Sequence, residues 1–379
     1  MAERKQITLI YSYNDNWIGG TYYILNIIKA LNTLDDDLKP LLLILHSKKS
    51  SISPINEISY PYISFMVIDL RLSFFERLVN KFFYHLDGRM IFKITLPKGI
   101  GENVYPLAYN VSNKNIAKGR YWIADLQEYF LPEFFSNSEI RSRKAVHKSF
   151  VKDQSPIVFS SKTALQDFDS SYPNNSNQKY VLNFASFIDK TYKEININEL
   201  LGKFNIAKPY FIVSNQFWLH KNHKVVLNAL KFFKGTEYDF QLVFTGKESD
   251  YRNPEYFESL KNFIKENELG KYILSLGFIE RNEQLQLMSN AIAIIQPSLF
   301  EGWSTVVEDA KAVNKYILVS DIPLHREQIN FNCDFFDPKD DKDLAQKMMK
   351  TLDVNPKITP YDYGEKQKQV AKDFLRIFE

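Results

Sequence analysis

The chain has 379 residues, of which 45% are hydrophobic and 25% are charged, and its formal net charge is +3. This length predicts two domains, the composition excludes a disordered chain, and so small a charge excludes a nucleic-acid partner. The single cysteine, Cys333, excludes an intramolecular disulfide and favours a reducing compartment. The first residues have no long apolar region, and the longest aliphatic run, residues 41–45, is too short to span a bilayer. We therefore expect a cytoplasmic protein.

The first half of the chain alternates between strand-like and helix-like patterns. Short apolar runs predict strands at residues 7–13, 41–46, 63–70, 104–109, 121–125, 157–161 and 180–184. Apolar periodicity predicts helices at residues 21–34, 73–84, 133–150 and 163–172. Such alternation is typical of a parallel, doubly wound α/β sheet.

A glycine pair, Gly19 and Gly20, ends the loop NDNWIGG between the first strand and the first helix. Paired glycines let the backbone approach a ligand closely and open a helix N-terminus. The pair is by itself a weak signal of a binding site.

Acidic and amide side chains follow the strand predicted at residues 121–125, namely Asp125, Gln127 and Glu128. Ligands of open α/β sheets bind beyond the carboxyl ends of strands, so these are candidate site residues. The alternative is a polar strand end that only caps the next helix.

The helix predicted at residues 133–150 has a basic face. It carries Arg141, Arg143, Lys144, His147 and Lys148. A basic face is usually just solvated, but it can also rest on anionic lipid headgroups, and the sequence leaves both alternatives open.

The second half repeats the alternation after a polar connection at residues 189–209. Strands are predicted at residues 210–214, 240–246, 272–278, 291–296, 316–320 and 334–336, and helices at residues 254–269, 283–291, 341–352 and 361–378. Lys221 lies just before a further helix whose apolar residues begin at Val225. Charge alone would make this lysine an ordinary surface residue.

Residues 297–321 read as loop, helix and strand after the buried run at 291–296. Thr305 and Glu308 have the S/T-x-x-E spacing of a helix N-terminus, and Asn314 suits the C′ position. Free N–H groups at that helix start suit a phosphate, while the carboxylates of Glu301 and Glu308 suit hydroxyl groups, so the pattern indicates a sugar nucleotide. The alternative is that Glu308 only completes a capping box and Glu301 is solvated.

This stretch resembles the donor-site signature E-G-F-G-x-x-x-x-E of retaining GT-B glycosyltransferases, family 4 (glycosyl transferases group 1). The resemblance implies that Glu308 binds the ribose, that Glu301 lies near the transferred sugar, and that backbone amides hold the diphosphate. Those amides belong to Trp303, Ser304, Thr305 and Val306. Six residues, 302–307, separate the two glutamates where the signature has seven, so the loop must be tighter.

The same resemblance assigns roles along the rest of the chain. Lys221 is expected to neutralise the leaving diphosphate, with Asn215 and Gln216 where the family often has an arginine. Phe278 and Ile279 are expected at the nucleotide base, although both could equally be core residues. The glycine pair is expected in the cleft facing the donor phosphate.

Relatives in the same broad family have D-x-Q-H where this chain has Asp125 to Glu128. Glu128 therefore stands where those relatives have a histidine that faces the reaction centre. We expect Asp125 to position the sugar and Glu128 to accept the proton of the acceptor.

The resemblance implies the GT-B fold, with two Rossmann-like domains facing a central cleft. We expect an acceptor-side domain at residues 1–186, a nucleotide-sugar donor domain at 187–358, and a helix at 359–379 crossing back to the first domain. The implied activity is transfer of a hexose, with retention and without a metal or other cofactor, to a glycan or lipid-linked glycan in O-antigen or capsule synthesis. A GT-B nucleotide-sugar epimerase and a non-catalytic nucleotide-sugar-binding partner remain alternatives. Peripheral contact with the inner face of the cell membrane is a further expectation.

Overall fold

A computed structural model describes residues 4–13, 18–68, 72–87, 91–107, 111–112, 116 and 118–379. The chain divides into two compact units. The first comprises Met1–Phe130, Ser136–Phe187 and Gly364–Glu379, and the second comprises Leu131–Phe135 and Ile188–Tyr363.

The described residues of the first unit form parallel sheets flanked by helices. The strands are β1 (Gln6–Tyr11), β2 (Leu41–His46), β3 (Ile63–Val67), β4 (Ile94–Thr95), β5 (Asn103–Tyr105), β6 (Val111–Ser112), β7 (Lys118–Gly119), β8 (Tyr121–Ile123), β9 (Ile157–Phe159) and β10 (Lys179–Val181). The helices are α1 (Ile18–Asn32), α2 (Ser53–Asn56), α3 (Phe74–Asp87), α4 (Gln127–Phe130), α5 (Asn137–Asp153) and α6 (Lys162–Ser171). The strand orders are β3-β2-β1-β5-β7, β10-β9-β8 and β4-β6.

The second unit has one parallel sheet in the order β13-β12-β11-β14-β15-β16. Its strands are β11 (Tyr210–Ser214), β12 (Gln241–Thr245), β13 (Ile273–Ser275), β14 (Ile294–Gln296), β15 (Ile317–Ser320) and β16 (Cys333–Phe336). Its helices are α7 (Ile197–Lys203), α8 (His223–Leu230), α9 (Tyr256–Glu266), α10 (Arg281–Asn290), α11 (Thr305–Ala312), α12 (Pro323–Gln328) and α13 (Asp341–Asp353), and α14 (Tyr363–Arg376) follows.

The central strand β11 is buried on both faces, as a doubly wound sheet requires. Phe211 and Val213 pack into one apolar cluster, whereas Tyr210 and Ile212 pack into a second cluster. Because successive side chains of a strand point to opposite faces, this alternation places one core on each side of the sheet. The predicted doubly wound α/β architecture is confirmed in this unit.

The first unit differs from a single sheet because the chain changes partners at Arg120. β7 pairs with β5, and the N–H of Arg120 still donates to the carbonyl of Val104 at 3.0 Å. The next N–H, of Tyr121, donates to the carbonyl of Pro156 at 2.9 Å, and β8 then pairs with β9. One residue therefore joins the five-stranded sheet to the three-stranded sheet.

The end of α14 is bonded to the first unit. Arg120 Nε donates to the carbonyl of Ile377 at 2.7 Å, and Lys118 Nζ donates to the carbonyl of Phe378 at 2.9 Å. The side chains of Phe374 and Phe378 are fully buried. These contacts fix residues 364–379 as an integral part of that unit.

Several predicted elements of the first unit begin or end at other residues, and two of these differences have a local cause. The strand predicted at residues 104–109 ends at Tyr105 because Pro106 has no N–H to donate; residues 108–110 lie outside the described residues. The helix predicted from residue 133 begins at Asn137, where Ser136 and Glu139 form a reciprocal capping box. Among the described residues, no helix has the length and apolar character needed to cross a membrane.

Candidate active site

Residues far apart in the sequence meet at the carboxyl ends of β11 and β14. These strands are neighbours at the point where the sheet order reverses, and chains leaving such a point open a crevice in which ligands bind. The segment after β11 contains Asn215 and Lys221, and the segment after β14 contains Ser298 and Glu301. The fold thus brings together two of the predicted catalytic residues, Lys221 and Glu301.

Glu301 is the centre of a hydrogen-bond network. Its Oε1 lies 2.6 Å from Lys221 Nζ, and it also accepts from Gln296 Nε2 at 2.8 Å and from Ser298 Oγ at 2.7 Å. Gln296 in turn accepts from Asn215 Nδ2 at 2.7 Å. The side chains of Lys221 and Glu301 are 17% and 8% exposed, so the alternative of a solvated Glu301 is wrong.

Asn222 joins the loop that carries Lys221 to neighbouring loops, and the sequence analysis missed it. Its φ is +55°, a left-handed conformation that asparagine tolerates better than most residues. Its Nδ2 donates to the carbonyls of Pro297 at 3.1 Å and Pro338 at 2.8 Å. The available signal was an asparagine between Lys221 and the start of α8.

Gly246 is a second residue that the sequence analysis did not single out for the site. It follows β12 with φ +142°, and a Cβ there would lie 2.1 Å from the carbonyl oxygen of Asn215. A side chain at this position would therefore displace the backbone that carries Asn215 and Gln216. Gln216 is half-buried.

The N-cap of helix α11 lies one residue earlier than predicted, so the helix itself begins at Thr305. Ser304, not Thr305, is the N-cap, and its Oγ accepts from the N–H of Val307 at 3.4 Å. The N–H of Ser304 is bonded to Gln328 Oε1 at 3.1 Å. Helix geometry gives the N–H groups of Thr305 and Val306 no acceptor within the helix, so they are the first-turn donors suited to an anion. At the other end Asn314 has φ +53°, as expected at C′.

Glu308 does not complete a capping box, because its fully buried carboxylate is bonded elsewhere. Its Oε1 accepts from Lys311 Nζ at 2.6 Å and from Gln328 Nε2 at 2.9 Å, and its Oε2 accepts from the hydroxyl of Tyr363. Because this carboxylate is fully buried, a ribose hydroxyl can reach it only after a neighbouring side chain has moved.

The other predicted donor contacts have different exposures. Phe278 is 83% exposed and is not a core residue, whereas Ile279 is half-buried against a core cluster. The side chains of Trp303 and Val306 are buried, which leaves their backbone as the predicted contact.

The glycine pair lies in the first unit, within the first turn of α1 and not in a loop. Gly19 is exposed and Gly20 is buried. Residues 14–17 of the predicted glycine-containing loop lie outside the described residues.

The first unit also contains the predicted acids at the end of β8. Asp125 Oδ1 accepts from the N–H of Gln127 at 3.1 Å, so this carboxylate does cap α4. Glu128 is buried, with Arg143 Nη1 3.5 Å from its Oε2 and His147 Nδ1 3.5 Å from its Oε1. Burial raises the pKa of Glu128 despite the nearby guanidinium of Arg143.

His147 does not belong to the basic face on which it was predicted. It is buried beside Glu128, and burial together with Arg143 lowers its pKa to about 4, so the ring is neutral at pH 7. The exposed cations of α5 are Arg141, Arg143, Lys148 and Lys152. Asp167 of α6 is half-buried, and its pKa is raised to about 6 by burial and by the charge of Asp125.

Among the residues that the structure describes, no group of three or more His, Cys, Asp or Glu side chains is arranged to hold a metal ion. The candidate site of the second unit therefore consists of Lys221, Glu301, the buried Glu308 and the amides of α11. The first unit contains an acidic cluster.

Comparison with known proteins finds a family match over most of the second unit. Residues 197–370 match the family described as glycosyl transferases group 1. The O-antigen chain mannosyltransferase RfbU of Salmonella typhimurium (strain LT2) is 25% identical over 196 residues, which are 50% of this chain and 52% of that protein. The matched region thus spans about half the length of this curated relative.

Solved structures resemble the chain over nearly its whole length. A glycosyltransferase from Rickettsia africae ESF-5 is similar with a TM-score of 0.64 at 14% sequence identity. The match covers 100% of this chain and 95% of the Rickettsia chain. Alr3699/HepE from Anabaena, in complex with UDP, has a TM-score of 0.62 at 14% identity and covers 99% and 96%. The same Anabaena protein has been solved with UDP-glucose. Residues 197–370 are therefore similar to the glycosyl transferases group 1 family, and the chain has the GT-B fold predicted from its sequence.

Proposed function

We propose that this protein is a retaining glycosyltransferase that moves a sugar from a nucleotide-sugar donor to a hydroxyl of a glycan or lipid-linked glycan. The observation that carries the proposal is the Lys221–Glu301 pair, 2.6 Å apart, at the carboxyl ends of β11 and β14. The start of α11 follows Glu301 by four residues. A cation and helix amides suit a diphosphate, and a carboxylate beside them suits sugar hydroxyls.

The chemical step breaks the bond between the anomeric carbon and the diphosphate oxygen. In the proposal, Lys221 and the N–H groups of Thr305 and Val306 stabilise the charge that develops on the diphosphate. Glu301 accepts a hydrogen bond from the transferred sugar, and Glu308 binds the ribose after one of its present donors has moved. The aromatic ring of Phe278, exposed to solvent, stacks on the base, beside Ile279.

The acceptor hydroxyl attacks the anomeric carbon from the face that the diphosphate leaves, which gives retention. Glu128 takes the hydroxyl proton, a role that suits a carboxylate whose pKa is raised by burial. Asp125 positions the sugar. Gly19 and Gly20 are proposed to lie near the donor phosphate.

Lysine and backbone amides can stabilise the leaving diphosphate, so we propose that the reaction needs no divalent metal or other cofactor. Turnover is then expected to be the same in the presence and in the absence of EDTA, added in large excess over trace metal. A requirement for added Mg²⁺ or Mn²⁺ would contradict the proposal.

The proposed pathway is the synthesis of a surface polysaccharide, such as O-antigen or capsule, in the cytoplasm. It is supported by the activity of the Salmonella relative, which is a mannosyltransferase of the O-antigen chain. The Anabaena structures contain UDP and UDP-glucose, so a uridine donor is tested beside the other nucleotide sugars.

The decisive experiment has two stages. Thermal shifts with UDP, GDP, ADP and dTDP identify the base, because a ligand that binds the native state raises its stability by mass action. Release of that diphosphate from UDP-glucose, GDP-mannose and related donors is then measured with and without a panel of alkyl glycosides. Acceptor-dependent release supports a transferase. An altered free sugar without acceptor would indicate an epimerase, and nucleotide binding without turnover would indicate a binding partner.

A further inference from the structure

Helix α3 has its apolar face turned outward. Phe74, Leu78 and Phe82 recur every four residues, so they form one row along the helix, and they are 71%, 50% and 62% exposed. Phe75 borders this row and is 69% exposed. A surface helix of a globular protein normally buries such a row against the core.

The opposite face of α3 is anchored by a polar residue. Asn80 is 4% exposed; its Nδ2 donates to the carbonyl of Phe92 at 2.8 Å, and its Oδ1 accepts from the N–H groups of Ile91 at 2.8 Å and Phe92 at 2.9 Å. Three hydrogen bonds therefore fix the rotation of the helix. The outward direction of the phenylalanine row is a consequence of this attachment.

The charges of α3 are sorted in the same way. Arg77 and Lys81 are exposed and follow Phe74 and Leu78 by three residues, so both cations border the apolar row. Glu76 lies four residues before Asn80, on the other side of the helix, and closes the helix start by accepting from the N–H of Ser73 at 2.8 Å. The outward face is therefore apolar and cationic.

We propose that this outward face of α3 docks on an anionic lipid bilayer surface. The phenylalanines and the leucine enter the boundary between headgroups and acyl chains, while Arg77 and Lys81 contact lipid phosphates. This arrangement is that of a helix lying in the plane of the membrane interface. The inference does not depend on the proposed glycosyl transfer.

A second copy of the chain fits this surface less well than a bilayer does. Two copies meeting through the same face would bring two Arg77 and two Lys81 side chains into one interface, and none of the described side chains of α3 on that face is an acid that could pair with them. Like charges brought together in an interface are destabilising. An anionic bilayer supplies the opposite charge and the apolar phase together.

The test is co-sedimentation of the full chain with vesicles of phosphatidylcholine alone or mixed with phosphatidylglycerol. The wild-type protein is expected to bind the anionic vesicles more strongly. The triple variant Phe74→Ser, Phe75→Ser, Phe82→Ser should lose binding to both compositions, roughly tenfold or more for each phenylalanine removed. The double variant Arg77→Gln, Lys81→Gln should lose the preference for anionic vesicles.

Two control variants separate this surface from general stickiness. Phe232→Ser with Val354→Ser removes exposed apolar side chains of the second unit and should leave vesicle binding unchanged. Arg141→Gln with Lys148→Gln removes exposed cations of α5. Binding of this variant to vesicles of phosphatidylcholine alone should also be unchanged. Far-ultraviolet circular dichroism and thermal unfolding confirm that each variant is folded.

The variant Phe75→Trp gives an independent readout when its emission is compared with that of the wild type, which has four tryptophans of its own. The additional emission should shift to the blue and be quenched by brominated lipid when vesicles are added. The proposal is overturned if the wild type stays in the supernatant, if the triple variant binds like the wild type, or if binding is lost with the α5 variant and not with the α3 variants. A change of oligomeric state in the triple variant, with vesicle binding unchanged, would show that a second copy covers the face.

Discussion

Lys221 Nζ and Glu301 Oε1 lie 2.6 Å apart although the two residues are 80 positions apart in the chain. The lysine comes from the loop after β11 and the glutamate from the loop after β14, so the ion pair exists only because these strands are neighbours. The pair sets the charge of the proposed donor site: a cation for the diphosphate, held in place by a carboxylate for the sugar.

Replacing Lys221 by alanine should lower kcat/KM. The corresponding loss of transition-state stabilisation should be about 2–4 kcal/mol, the scale for losing one preorganised group that stabilises developing charge. Steady-state kinetics with the donor identified by thermal shift gives this value. Lys203→Ala is the matched control, because Lys203 pairs with Glu283 at 2.5 Å in the same unit but away from β11 and β14. That control should turn over normally. Near-normal turnover of Lys221→Ala would move the phosphate site elsewhere.

Replacing Glu308 by glutamine should weaken donor binding and also destabilise the protein. Lys311 is only 5% exposed, and the loss of its partner leaves a buried ammonium unpaired, which costs about 3–5 kcal/mol. The double variant Glu308→Gln, Lys311→Met removes both charges and should regain most of the stability. Urea unfolding and donor KM are measured for each variant. Wild-type donor affinity in the folded double variant would rule out the ribose role of Glu308.

Asp125→Asn and Glu128→Gln should each reduce kcat while nucleotide affinity stays nearly unchanged. Asparagine keeps an acceptor for the N–H of Gln127, so the effect at Asp125 would come from the lost charge and not from the lost cap. Glutamine at residue 128 removes the proposed proton acceptor at nearly constant volume. Initial rates are measured beside calorimetric binding of the nucleoside diphosphate. Normal rates for both variants would make these acids structural only.

Stability should fall as the pH drops below about 6.5, the pKa of an unfolded histidine. Burial, with the charge of Lys221, lowers the pKa of His223 to about 3, so between these values the unfolded chain binds the proton and the folded chain does not. At pH 5 this one residue costs about 2 kcal/mol relative to pH 7.5.

The variant His223→Phe tests that pH dependence. The ring of His223 stacks on Phe217 with centroids 4.3 Å apart and borders a cavity, so a phenylalanine can be accommodated. Its free energy of unfolding should stay within about 1 kcal/mol of wild type at pH 7.5. The loss between pH 7.5 and pH 5 should shrink by about 2 kcal/mol. An unchanged loss would show that His223 is protonated in the folded protein.

Gly246→Ala should destabilise the second unit by about 3 kcal/mol or more, since the new Cβ would overlap the carbonyl of Asn215 and the backbone φ is strained for any L side chain. Gly202→Ala is the control. Gly202 lies in α7 with open space around it, so alanine there should be neutral or stabilise by about 0.5–1 kcal/mol. Urea unfolding of both variants gives the comparison.

A local pattern could predict an element where the residues of that element alone determine its structure. β2 and β11 have the predicted bounds, 41–46 and 210–214, because each is a continuous apolar run that only a buried parallel strand accommodates. The change of partner at Arg120 could not be predicted, since it depends on which strands lie on either side of one residue.

The same distinction applies to the candidate site. Lys221 and Glu301 were expected at the donor site from the resemblance to family 4 glycosyltransferases, but their pairing depends on strand order. The hydrogen bond from Tyr363 to Glu308 joins residues 55 positions apart. No local pattern contains it, so the carboxylate was predicted to be available to a ribose when it is in fact bonded.

Because residues 364–379 are part of the first unit, they determine the order in which the two units can be completed during synthesis. The second unit occupies residues 131–135 and 188–363, so all of its residues are synthesised before the end of α14. Until that end is made, Arg120 lacks the carbonyl of Ile377 as an acceptor and the sites of Phe374 and Phe378 stay open. The unit that begins first on the ribosome is therefore completed last, and in the interval its open apolar sites are where a chaperone would bind.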